Sequence, residues 1–422
     1  MDFYRLVKEK MGGDLGRHVL RSPLSYNILK ALLVKSRHQY SLQAVWMMNR
    51  YALEQTRRAY LRRDPVIWNS VFFPTEILHA LKAVPFAPEV GAAVAAGLGL
   101  ATKFLGRAEQ YWSTRDTCSF HRCAMGSVLE EYLPAPDALV YSSHLCDGAP
   151  KLFEHVAAFY KKPVFFLDVP GTGGDAAVDY VAGQLEEIAG RLSHRLGRPL
   201  TRDNLARALE NSNQAREYML KINELRRATF VNVPGSQALN FVYLLFTAQG
   251  APETVQIYRQ FYRDLEGLAG RGDRAVPERR RLLWLHLKPY YRNGLMEYLE
   301  NRLGAALACE EMNHVYWEPL DPERPYESLA RKALSHFALG PVERRIETLL
   351  QLVRLYRIDG VVHFTHWGCR QSNGGLRPIK EALRSAGVPF LSLDGDCVDG
   401  RNYGEGQLLA RLEGFIEMID AK

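Results

Sequence analysis

DGVVHFTHWGCRQSNGGLRPIKEALRSAGVPFLSLDGD, residues 359–396, decides the fold. An apolar, β-rich run gives way at His366 to turn formers, then to apolar residues at helical spacing, then to a second apolar run. Strand, helix and strand in that order, with short connections, form a unit of parallel sheet. Cys369 falls at the corner where the strand stops and a helix is about to start. Such corners present chemistry in α/β proteins, because side chains stand over the sheet edge and backbone N–H groups point outward.

The same alternation extends both ways. RRLLWLHL and AALACEE read as strands around the helix GLMEYLENRLG, VERRIETLLQLVRLYRI reads as a helix, and GQLLARLEGFIEMI closes the chain as another. Upstream, VIWNSVFF (66–73) is a strand stopped by Pro74, and TEILHALKAV follows as a helix with Thr75 placed to cap it. DALVYSSH and KPVFFLDVP flank the helix APKLFEHVAAFYKK as a second β-α-β unit. Residues 175–270 are almost wholly helical by pattern, the stretch from Thr201 having a capping residue and an acid at its start. The expectation is α/β: two doubly wound, flavodoxin- or Rossmann-like parallel-sheet lobes with an N-terminal helical segment and helical insertions. The boundaries fall at 1–64 for a basic helical segment, 65–230 for the first lobe with its helical extension, and 231–422 for the second lobe, opening on helices.

Composition is that of a globular chain of 422 residues, 47% hydrophobic and 24% charged, which is long enough for more than one core. No apolar run reaches the ~20 residues of a membrane span, and MDFYRLVKEK mixes charges from the start. The expectation is a cytoplasmic protein without a membrane partner. The net charge of +7 is concentrated: residues 1–63 carry thirteen Lys or Arg against four Asp or Glu. With no zinc-finger spacing or RNA-binding signature beside it, this reads as solvated helix faces and not as a nucleic-acid surface.

Six cysteines in a chain this long do not make a disulfide scaffold, so position has to decide their roles. Cys146 in SSHLCDGAPK occupies the same strand-to-helix station as Cys369, and Cys118 in DTCSFHRCAMG precedes a stretch that can begin a helix. At a helix N-terminus the dipole and free N–H groups favour a thiolate, the form that binds metal. Three thiolates, two from one lobe and one from the other, can converge on one iron–sulfur cluster with its fourth iron open; zinc is the alternative, although no CxxC pair is present. Cys309 in AALACEE reads as core, Cys397 lies in a polar loop, and Cys123 is close enough to Cys118 to face the same cleft. PGTGGDAA (170–177) is a turn, since it lacks the spacing of a dinucleotide loop.

The stretches FFPTEILHALKAVPFAP, DTCSFHRCAMG, SSHLCDGAPK, FFLDVP, HWGCRQSNGG and LSLDGDCVDGRNYGEGQLLARLEGFIEMI, in this order and spacing, resemble the 2-hydroxyacyl-CoA dehydratase family, which includes the cluster subunits of benzoyl-CoA reductase. The resemblance covers roughly residues 65–420. It implies one [4Fe–4S] cluster held by Cys118, Cys146 and Cys369. It also implies an acyl-CoA substrate, a related second cluster subunit, and a separate ATP-hydrolysing iron–sulfur activator. The implied reaction is one-electron reduction of the thioester to a ketyl radical anion, which expels the C2 hydroxyl and acidifies C3, with the electron recovered at the end. An aryl-CoA reductase subunit is the alternative; a non-catalytic relay or CoA-binding scaffold subunit is the reading from another class. By the same resemblance Glu76 is a candidate base; His144 and His366, which precede or neighbour cluster cysteines in the sequence, are candidate hydrogen-bond donors to cluster sulfur. Arg370, beside a ligand, can offset cluster charge. A pair of linked cubanes would need all six cysteines, and Cys309 and Cys397 do not sit at strand-to-helix corners.

Overall fold

The computed structural model describes residues 16–111, 113–228 and 230–421. Two four-stranded sheets organise it. The first holds β1 (Val66–Asn69), β2 (Val84–Phe86), β3 (Ala138–Ser142) and β4 (Val164–Leu167) in the order β2-β1-β3-β4. The second holds β5 (Arg280–Leu285), β6 (Ala305–Glu310), β7 (Gly360–His366) and β8 (Phe390–Gly395) in the order β6-β5-β7-β8. Every pairing is parallel, with Leu139 opposite Val164 in one sheet and Leu282 opposite Gly360 in the other. The expected pair of doubly wound lobes is therefore present.

The two strand orders are equivalent, so each sheet reverses its winding between its first and third strands. That crevice is where ligands bind in open α/β sheets. Residues of β1, β3 and β6 are buried throughout. This is why the sequence shows continuous apolar runs there and not alternation. Trp68 and Trp284 sit fully buried at the centres of the two sheets.

The lobes are interleaved. Leu329, Ala330 and Leu334 of helix Pro325–Leu334 complete the core under the first sheet, with Val178, Val181 and Leu185 of helix Asp175–Leu196. In return Ala92, Ala96 and Phe104, from helices Pro88–Gly97 and Ala101–Tyr111, share a core with Leu282, Trp284 and Phe364 of the second sheet. Both lobes thus bury apolar surface across the seam, each large side chain contributing about 1.5–3 kcal/mol.

Three local expectations change. The helix read over TEILHALKAV stops at Ala80, Lys82 turns left-handed with φ 54°, and Val84–Phe86 is instead the edge strand β2. Pro85 is tolerated there because an edge strand leaves N–H positions unpaired. Thr75 is the first helical residue and not the cap; its hydroxyl donates to the Gln249 carbonyl at 3.0 Å. GLMEYLENRLG makes one α-turn, Leu295–Glu297, followed by π-helix at Tyr298–Arg302. Thr201 does cap its helix, accepting from Asn204 N at 3.2 Å. The N-terminal helices Pro23–Lys35 and Gln43–Tyr60 are as expected, while residues 1–15 of that segment lie outside the described residues. No helix among the described residues is long and apolar enough to cross a membrane.

Candidate functional site

Cys146 follows β3 and Cys369 follows β7, the equivalent third strands of the two sheets, so both stand at a winding reversal. Cys118 is the N-cap residue of helix Ser119–Leu129, and Cys369 that of the short helix Arg370–Gly374. All three thiols line one cavity of about 900 Å³ between the lobes. All are free and half-buried.

Their electrostatics are coupled. Burial raises the Cys118 thiol well above its ordinary value, and negative charge on Cys146 and Cys369 raises it further. Burial pushes Cys146 up to about 12, with Glu89 and then Cys369 adding to it. Burial raises Cys369 as well. The lowering expected from helix N-termini is real, coming from the N–H groups of His121 and Phe120 at Cys118 and of Ser372 at Cys369. It is the smaller effect; taking a thiolate out of water costs more than these N–H groups return. A bound cation would reverse that balance.

Close backbone approach joins the two halves of the site. Gly368 has φ +76°, and a Cβ added there would sit 2.6 Å from the Cys118 nitrogen and 2.7 Å from its Cα. Only glycine lets the Cys369 loop lie against the Cys118 corner. Gly368→Ala should cost about 1–2 kcal/mol for the left-handed backbone, on top of about 1–3 kcal/mol for overpacking. Chemical denaturation of parent and variant measures it, and a loss below ~0.5 kcal/mol would mean that the corners do not touch. Ser119 Oγ, which donates to Asp396, and Arg122, 3.4 Å from Asp399, tie the same helix to the loop after β8.

His366 Nε2 lies 3.3 Å from the Cys118 sulfur, and His121 Nε2 lies 3.8 Å from the Cys146 sulfur. Both rings are buried, which pushes His366 down to about 3 and His121 to about 4. His121 is also 3.9 Å from Glu89 Oε1. Glu89 lines the cavity, and neither of its carboxyl oxygens has a partner at hydrogen-bonding geometry. Burial raises it to about 8; its own N–H and that of Val71 lie near enough only to ease the cost.

The other sequence candidates lie elsewhere. Glu76 is fully buried, with Oε1 2.7 Å from Lys332 Nζ and 3.0 Å from Ser212 Oγ, and it is not among the residues lining the cavity. Burial opposes its charge, but Lys332 and Ser212 outweigh it and hold the carboxyl below its ordinary value. His144 is buried edge-on to Phe72 and His336, and burial pushes it down to about 4. Arg370 is exposed and pairs with Asp147 at 2.6 Å, linking the residue after one corner cysteine to the residue after the other. Cys123, Cys309 and Cys397 are buried in cores, so Cys123 does not face the cavity. His121 and Glu89 escaped the sequence reading. His121 carried a signal, three residues after Cys118 on a helix and so one turn away. Glu89 carried none, because an acid in the first turn of an apolar helix usually offsets the dipole.

Residues 70–419 match the family model described as 2-hydroxyglutaryl-CoA dehydratase, D-component. The chain belongs to that family. It is 22% identical over 376 residues, 86% of this chain and 91% of the relative, to the (R)-phenyllactyl-CoA dehydratase alpha subunit of Clostridium sporogenes. It is 24% identical over 306 residues to the alpha subunit of (R)-2-hydroxyglutaryl-CoA dehydratase of Acidaminococcus fermentans, covering 68% of this chain and 61% of that relative. With a component of the benzoyl-CoA reductase of Thauera aromatica it shares 24% identity over 349 residues, 75% of this chain and 79% of that component. These similarities support an enzymatic role as a dehydratase or reductase component.

The donor set fits the group expected at such a site. Among the described residues no three His, Cys, Asp or Glu side chains lie close enough together to hold a single metal ion. A cubane takes its ligands at separate corners, which requires thiols spread around a shared space. Three thiols that line one cavity, two of them with an imidazole N beside the sulfur, are soft donors of the kind such a group takes.

Proposed function

We propose that this chain is the cluster-bearing subunit of a 2-hydroxyacyl-CoA dehydratase, with Cys118, Cys146 and Cys369 holding one [4Fe–4S] cluster. The observation that carries it is the convergence of two equivalent strand-end cysteines and one helix-capping cysteine on a single cavity. The relatives named as alpha subunits of such dehydratases support the assignment and a partner subunit with it. Held by these three thiols, such a cluster would supply one-electron chemistry at low potential, with the electron coming from an ATP-dependent iron–sulfur activator.

The chain's own residues handle protons and water. Apolar side chains such as Phe72, Val90 and Phe246 line the cavity and keep it poor in water. Glu89 is held protonated near neutral pH by its burial, so it can give its proton to the departing C2 hydroxyl, which leaves as water. The carboxylate it becomes can then take the C3 proton, and the starting state returns with no net proton change. Glu76, paired with Lys332, ties helix Thr75–Ala80 to helix Pro325–Leu334.

Glu89→Gln is expected to lower turnover by about 10²–10⁴-fold, measured as acyl-CoA dehydration by the complex reconstituted with partner and activator. Stability gives an independent check in the iron-free chain. A carboxyl raised from 4.5 to about 8 keeps its proton in the folded state and loses it in the unfolded one. Its contribution is therefore full below pH 4.5 and is lost as the pH rises to about 8. His121 and Cys146, the titratable groups facing it, are also disfavoured as charged forms by burial. The stability of Glu89→Gln relative to the parent should thus improve steadily from pH 5 to pH 8; a constant difference would refute the buried neutral acid.

The deciding experiment for the function is dehydration of 2-hydroxyacyl-CoA against dearomatisation of an aryl-CoA, both with activator and ATP. Water loss alone supports the dehydratase. Ring reduction alone would make the chain an aryl-CoA reductase subunit.

A further inference from the structure

Both ring nitrogens of His366 are committed. The Cys397 backbone N–H lies 3.1 Å from Nδ1. An amide N–H only donates, so Nδ1 is the unprotonated, accepting nitrogen. The ring's proton then sits on Nε2. Nε2 is the atom 3.3 Å from the Cys118 sulfur, so the histidine donates to the sulfur and cannot accept from it.

The surroundings hold the ring in that pose. Asn373 Nδ2 donates to the His366 carbonyl at 2.9 Å, and Trp367 N donates to the Gly395 carbonyl at 3.0 Å. Phe120 meets the ring edge-on at 5.2 Å and His286 stacks on it at 6.1 Å. His121 beside Cys146 is different: its sulfur contact is 3.8 Å and its Nδ1 has no hydrogen-bond partner, so nothing fixes its tautomer.

We propose that His366 is a positioning residue that sets the reduction potential of the cluster, its Nε2–H donating to the Cys118 sulfur while the Cys397 amide locks the tautomer. This rests on the cluster assignment made above. The physical basis is differential stabilisation. Reduction adds negative charge that spreads onto the ligand sulfurs, and a fixed donor stabilises the more negative state more strongly. The donor therefore raises the potential, and removing it lowers the potential. Ligand-orienting groups of this kind tune a site without touching metal.

The test uses the full chain, reconstituted anaerobically with iron and sulfide and titrated by electron paramagnetic resonance. His366→Leu is expected to disfavour reduction about tenfold, a shift of about 59 mV to more negative potential for a one-electron couple. His366→Gln, whose amide N–H can take the place of Nε2–H, is expected to restore most of the shift. Equal potentials in parent and His366→Leu, both fully loaded with iron, overturn this proposal alone. A parent chain that takes up no iron overturns the cluster assignment and the proposal with it. Should the variants fail to load, the nitrogen-15 spectrum of the iron-free parent decides: a proton on Nε2 of His366 is expected, and a proton on Nδ1 refutes the arrangement.

Discussion

Replacing Cys369 by serine is expected to strip the chain of iron. The parent, reconstituted anaerobically, should bind about four irons per chain, as one cubane requires, and should absorb broadly in the visible. Cys369→Ser leaves Cys118 and Cys146 as the two thiols lining the cavity. A serine oxygen is a hard, protonated donor that does not replace a thiolate for iron–sulfur chemistry. Two thiols cannot hold a cubane against the cost of ionising them in a site that already pushes Cys146 to about 12. Iron should fall below about one per chain, with dehydration by the reconstituted complex lost by more than about 10³-fold, the range typical of removing a group on which the reaction depends. Cys309→Ser is the control. Cys309 is buried inside β6, away from the cavity, so that variant should keep its iron. Full iron and activity in Cys369→Ser would end the cluster assignment. Equal iron loss in both variants would point to a general folding defect.

The alternation of apolar runs with helical periodicity from residue 280 onward exposed the second sheet almost strand for strand, because each element is long and internally consistent. The first sheet was harder. β2 is three residues long, contains Pro85 and follows a helix whose apolar pattern runs straight into it, so periodicity alone extends the helix. The corner positions of Cys146 and Cys369 were legible for a simple reason: a strand end and a helix start both leave marks in sequence. The partners of those sulfurs were not, with the exception of His366. Glu89 reaches the cavity from a helix that periodicity does not separate from a generic apolar one, and only packing shows that its carboxyl lacks a partner. The exchange of helices across the seam is likewise invisible locally. Pro325–Leu334 looks like any amphipathic helix, and nothing in its own residues says that it covers the other sheet.

Arg345→Met should destabilise the chain about as much as a large cavity-forming change in a core. Arg345 and Glu311 form a buried two-point pair, Nε to Oε1 at 2.6 Å and Nη2 to Oε2 at 2.8 Å. The remaining Nη1 donates to the Ser372 carbonyl at 3.2 Å, within the short helix that Cys369 caps. Burial disfavours the Arg345 charge, and Glu311 more than compensates, so its pKa rises. Methionine keeps most of the volume but leaves the Glu311 carboxylate buried and unpaired. Breaking a buried pair from one side typically costs about 3–5 kcal/mol, whereas replacing both charges by neutral groups is far cheaper. The double variant Arg345→Met/Glu311→Gln should therefore recover a large part of the loss, and urea unfolding of the four proteins in the cycle measures the coupling. A single-variant loss below about 1 kcal/mol would show that water reaches the pair and that it is not the clamp the geometry describes. The clamp matters for the site because it fixes the carbonyl end of the turn that presents the Cys369 sulfur. If it sets that sulfur's position, the double variant, restored in stability but lacking the Ser372 contact, should still load iron more slowly than the parent. That outcome separates a stabilising role from a positioning one, since a pair that only stabilises the fold would return iron uptake together with the folding free energy.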